Sequence, residues 1–147
     1  MIDVSTIPVF GLNKNDKSNY MLGNMNYLTQ FHIKNCSEYK TLMEKFGEIK
    51  QTYKEVSDVP FIPVRLFKHT NLLSVPKKNI VKTMTSSGTT GQGVSQIFLD
   101  SDTSSLQVKV LSKIMSDFIG TKRLPMLIID SKSIISNREK FSARTAG

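Results

Sequence analysis

The chain has 147 residues, 39% of them hydrophobic and 22% charged, with a formal net charge of +8. That is the size of one ordinary domain, with enough apolar material for a packed core and a composition unlike that of a disordered chain. No apolar run approaches the ~20 residues of a membrane span, no secretory signal opens the chain, and a single cysteine, Cys36, excludes an internal disulfide. A cytoplasmic protein is the simplest reading.

Residues 1–19 are polar, and Gly11-Leu-Asn-Lys-Asn-Asp-Lys17 reads as loop. Over residues 20–34, Met21, Leu22, Met25, Leu28 and Phe31 recur at helical spacing and are expected to face a core. A second helix is expected from Ser37, as its cap, to about Glu55. Tyr39, Leu42, Met43, Phe46, Ile49 and Tyr53 form its apolar stripe, interrupted in pattern by Gly47. Pro60 and Pro63 make the next stretch an extended connector with room for one turn after Pro63.

Short strands are expected at 71–75, 80–85 and 94–99, the last two flanking a Gly/Ser/Thr segment. Ser101 or Asp102 then caps a helix over about 103–119, with Leu106, Val110, Leu111, Ile114, Met115 and Phe118 on its buried side and Gly120 at its end. Residues 124–129 are a continuous apolar run and read as a buried strand. Strands alternating with helices give an α/β fold. Its N-terminal helices, over residues 1–58, pack beside a partial mixed sheet that begins an α/β nucleotide-binding subdomain over 59–147.

The chemistry concentrates in one segment. From Thr83 to Thr90, six of eight residues carry hydroxyls, and Gly88, Gly91 and Gly93 punctuate them. Glycines let the backbone approach an anion closely, successive N–H groups form a concave nest, and hydroxyls add short donors to phosphate oxygens. Ser86, Ser87, Gly88, Thr89, Thr90 and Gly91 are therefore the candidate phosphate-binding residues. The segment matches neither the Walker loop nor the dinucleotide Gly-x-Gly-x-x-Gly pattern. It lies within residues 59–99, which contain no Asp or Glu but include Arg65, Lys68, Lys77, Lys78 and Lys82, a balance that favours a polyanion such as ATP. A non-catalytic anion- or nucleic-acid-binding module is the competing reading. Nucleic acid is disfavoured because the charge excess is spread, as +5 over residues 1–85 and +3 over residues 86–147, rather than gathered in one patch. No Cys/His cluster suggests a metal site. Cys36 reads as a bland thiol at a helix junction, His32 as a packed histidine and His69 as a loop histidine.

Thr85-Ser-Ser-Gly-Thr-Thr-Gly91 resembles the phosphate loop of the adenylate-forming superfamily. Together with Val59-Pro-Phe-Ile-Pro-Val-Arg-Leu-Phe-Lys68 shortly before it, the loop is similar to that of LuxE-type acyl-protein synthetases of bacterial bioluminescence. The alternative enzyme reading is a phenylacetate-type acyl-CoA ligase, which shares the loop but delivers the acyl group to coenzyme A. The resemblance implies a ligase in which the loop residues 86–91 hold ATP, with Mg²⁺, while a fatty acid or other carboxylate is activated as acyl-AMP. The acyl group then passes to a thiol of an acceptor protein or acyl-reductase. The loop departs from many of the superfamily in continuing Gln92-Gly-Val-Ser95 with no lysine, which leaves Lys82 or Arg65 as candidates to meet phosphate charge. Adenine, ribose and acyl-accepting residues are expected in later regions. The chain is thus expected to be an inactive N-terminal fragment, with an apolar surface prone to self-association.

Overall fold

The computed structural model describes residues 6–46, 49–86, 94–125, 127, 129 and 141–142. Its principal elements are helices α1 (Lys14–Asn35) and α2 (Ser37–Phe46), strands β1 (Ile80–Thr85) and β2 (Gln96–Asp100), helix α3 (Ser101–Ile119) and a two-residue strand β3 (Phe141–Ser142). The sheet order is β2-β1-β3, with β2 antiparallel and β3 parallel to β1. This is the expected mixed α/β architecture. The longest helices carry too many polar residues for any described one to cross a membrane.

Helix α1 starts six residues earlier than the apolar spacing indicates. Asn13 caps it: its Oδ1 accepts the Asp16 N–H at 2.9 Å, and Asp16 places negative charge in the first turn. The segment expected to be loop is thus partly helical, because a cap and a favourable dipole contact replace the missing apolar anchors. The inward face is also displaced from the expected stripe. Met21 and Leu28 are exposed, and the buried residue is Thr29. The docking is largely polar. Asn26 accepts the Tyr53 N–H at 2.7 Å and donates to the Tyr53 carbonyl at 3.0 Å, and Gln30 donates to the Lys50 carbonyl.

Cys36 is the joint between α1 and α2. Its N–H donates to the His32 carbonyl, its carbonyl accepts from Lys40, and its Sγ accepts the Tyr39 N–H at 3.4 Å. The thiol, not Ser37, occupies the capping position of α2, and it is 2% exposed. Met43 and Tyr53 enter the core from the second stripe as expected. Phe46 and Ile49 stay exposed, and residues 49–53 are not helical. The helix therefore does not reach Glu55.

The connector takes one 3₁₀ turn, Val64–Lys68, directly after Pro63. Residues 71–75 do not form the expected strand. They run irregularly along α1, and Pro76 with a further 3₁₀ turn, Lys77–Asn79, separates them from β1. Strand β1 pairs with β2 from Ile80↔Asp100 to Thr85↔Gln96, with a bulge at Val81. Alternation along the strands sends Lys82 and Met84 toward α3, whereas Gln96 and Phe98 line a cavity whose far wall is α1. Helix α3 follows β2 without a gap. Asp100, not Ser101 or Asp102, is its cap, accepting the Thr103 N–H at 2.8 Å, and Gly120 ends it at φ +80°.

The apolar side of α3 is not buried as expected. No residue of α3 is fully buried, and Leu111, Ile114, Met115 and Phe118 are exposed. Among its contacts, Phe118 meets Phe10 edge-on at 5.7 Å and Lys113 donates to the Ile7 carbonyl. The run at 124–129 is a further correction. Its described residues are not strand, and Leu124, Leu127 and Ile129 are exposed. An apolar run signals a need for burial, but a strand also needs a partner edge to pair with.

Candidate functional site

The Gly/Ser/Thr segment is the connection of the β1–β2 hairpin. Ser87, Gly88, Thr89, Thr90 and Gly91 lie outside the described residues, but both ends of their loop are defined. The last ladder pair is Thr85↔Gln96. Immediately beyond it the Ser86 N–H donates to the Ser95 carbonyl at 3.1 Å, and the Ser95 N–H donates to Ser86 Oγ at 3.0 Å. Ser95 is buried and Ser86 is exposed. This reciprocal pair closes the neck of the loop and explains why β2 begins two residues later than expected.

Because the loop returns as an antiparallel strand, no helix begins where it ends. An anion held there would have to be met by backbone N–H groups and hydroxyls, the groups in which residues 86–91 are rich. Ser86 accepts a hydrogen bond at the neck, so its oxygen holds the loop shape, while its hydroxyl proton is the part it can offer outward. Lys82 sits in β1 opposite Leu99 and lines a groove under α3. Arg65 is exposed on the 3₁₀ turn after Pro63.

A second feature was not legible in the sequence. A cavity of about 300 Å³ lies between α1, the irregular 71–75 segment and β2. Phe31, Tyr39, Phe67, Leu72 and Phe98 supply apolar walls. His32 Nδ1 and Ser74 Oγ share a 2.6 Å hydrogen bond across 42 positions of sequence. His32 also packs edge-on against Phe31 at 5.4 Å and Tyr39 at 5.7 Å. Burial lowers its pKa from the ordinary 6.5, which favours the neutral ring. Burial raises the pKa of the Tyr39 phenol, and a side-chain hydrogen bond with Thr29 partly opposes that rise. His32 is the packed histidine expected, but nothing local in the sequence links it to Ser74. His69 ends the 3₁₀ turn and is exposed, and Cys36 lines the cavity.

A family model for acyl-protein synthetases, LuxE, matches residues 4–146. The chain belongs to the LuxE acyl-protein synthetase family. Among curated proteins it is similar to a long-chain-fatty-acid–luciferin-component ligase of Photorhabdus luminescens, 35% identical over 60 residues. That stretch is 41% of this chain and 51% of the relative. It is also similar to the Vibrio harveyi ligase of the same description, 31% identical over 62 residues, or 42% of this chain and 16% of the relative. The matched stretches therefore span between a sixth and about half of those relatives. No solved structure matches the chain.

Proposed function

We propose that this chain is the N-terminal, phosphate-holding part of an ATP-dependent acyl-protein synthetase that activates a fatty acid. The observation that carries the reading is the Ser/Gly/Thr connection of a hairpin whose neck is closed by Ser86 and Ser95, in a LuxE-family chain. The fatty acid is inferred from the ligases the chain is similar to, which are named for long-chain fatty acids.

In the proposed reaction a carboxylate oxygen attacks the α-phosphorus of ATP, and the bond to the β-phosphate oxygen breaks, releasing pyrophosphate. An acceptor thiolate then adds to the acyl carbonyl, and AMP leaves. Residues 87–91 supply N–H and hydroxyl donors to the β- and γ-phosphates, offsetting the charge that builds on departing pyrophosphate. Mg²⁺ would arrive bound to the triphosphate. The acceptor thiol is assigned outside this chain. Cys36 is buried at a helix junction and committed to the Tyr39 N–H.

Fatty-acid-dependent exchange of pyrophosphate into ATP, measured on the enzyme containing this chain, tests the proposal. Gly88→Val should abolish exchange while leaving the fold intact, because a β-branched residue blocks both positive φ and close approach of an oxyanion. Equal exchange by wild type and variant would remove the phosphate-loop assignment.

A further inference from the structure

The cavity between α1 and β2 reaches the base of the loop. Gln96 lines it, and Gln96 is the first residue of β2, paired with Thr85 and adjacent to Ser95 at the neck. Its other walls are aromatic and aliphatic, and its polar pair is self-satisfied, since His32 and Ser74 bond each other. Away from Asp100 the interior thus offers mainly apolar surface. Asp100 is also on the wall, but at the opposite end of β2, roughly 13 Å from Gln96 at strand rise. Its Oδ1 is taken up by the Thr103 N–H.

We propose that this cavity holds the alkyl tail of the carboxylate substrate, with the carboxyl end at Gln96 beside the neck of the loop. The proposal rests on the acyl-activating reading and adds a location, an orientation and a length limit to it. Orientation follows from charge. A substrate carboxylate is repelled from Asp100 and can accept from the Gln96 amide, which lies at the end nearest the loop. Length follows from volume. An engineered apolar cavity of ~150 Å³ takes benzene, so a cavity of about 300 Å³ accommodates about a dozen carbons.

Straight-chain fatty acids from hexanoate to hexadecanoate, displacing a fluorescent polyunsaturated fatty acid from the purified chain without ATP, test the assignment. Affinity should rise about fourfold per added methylene and flatten near a dozen carbons. Cys36 is the sole cysteine and lines the cavity, so bound dodecanoate should slow its modification by a small methanethiosulfonate. Phe67→Ala should move the plateau to longer chains, a shift that general destabilisation does not produce. Gln96→Leu should weaken dodecanoate roughly tenfold, as loss of a hydrogen bond to a charged group, and weaken dodecanol by less. Affinity that climbs without a plateau, or Cys36 left unprotected at saturation, would overturn the proposal. The binding needs no nucleotide, so a chain that binds fatty acid in this way but belongs to an enzyme without pyrophosphate exchange would retire the activation reading alone.

Discussion

Removing the Ser86 hydroxyl isolates one of the two bonds that close the loop neck. In Ser86→Ala the bond from the Ser86 N–H to the Ser95 carbonyl survives, whereas the Ser95 N–H loses its acceptor. A buried donor left unpaired costs ~1–3 kcal/mol, and the low end applies because Ser86 itself is exposed and water can reach the vacated position. About 1 kcal/mol corresponds to roughly a fivefold rise in neck opening. Hydrogen exchange at the Ser95 amide should therefore accelerate roughly fivefold, with amides in the middle of β1 unchanged. Triphosphate affinity should fall by a similar factor, since the loop must be reordered on binding. Ser86→Thr keeps the acceptor oxygen and should restore both. Unchanged exchange at Ser95 would refute the neck, and faster exchange with unchanged triphosphate affinity would refute its link to the loop's function.

Other outcomes follow from the same geometry. Asn26→Leu adds apolar surface to α1 yet should destabilise the fold by about 2 kcal/mol in chemical denaturation, because both hydrogen bonds to the Tyr53 backbone are lost. The side chain and backbone of Thr103 hold the Asp100 carboxyl below its ordinary 3.8. Its stabilising contribution is present above that value and is lost as pH falls through the lowered pKa; Asp100→Asn should retain the cap and lose this acid dependence. For His32 the buried neutral form gives the opposite proton balance to a paired histidine. The unfolded chain binds the proton first, so stability should decline as pH falls below about 6.5, and His32→Gln should remove that component. Charged substitutions at Leu111 and Met115 should reduce self-association in sedimentation velocity, since both lie on the exposed apolar side of α3.

Local signals carried well from sequence to structure. The turn after Pro63, the strands either side of the Gly/Ser/Thr segment and the Gly120 stop each depend on a few neighbouring residues, and each is present. The errors arose where a distant partner decides. Periodicity placed Met21 and Leu28 inward, but Asn26 and Thr29 hold that face through bonds to Tyr53 and Tyr39, far along the chain. The apolar residues of α3 and of 124–129 advertised burial without saying what would cover them. Of the candidate phosphate ligands, Ser86 was legible as a loop residue but not as the neck acceptor, because that role needs Ser95 nine positions away. The cavity was invisible for the same reason: it depends on helix, irregular chain and strand meeting around His32 and Ser74.

Adenylation, the central step proposed for the enzyme containing this chain, has an isotopic signature. A fatty acid labelled with ¹⁸O in both carboxylate oxygens is incubated with that enzyme, ATP, Mg²⁺ and an acceptor thiol, and the nucleotide products are analysed by mass spectrometry. If the carboxylate attacks the α-phosphorus, the bridging oxygen leaves with the nucleotide, so AMP should carry one ¹⁸O and pyrophosphate none. Label in inorganic phosphate, accompanied by ADP, would mean attack at the γ-phosphorus and would contradict the acyl-AMP mechanism.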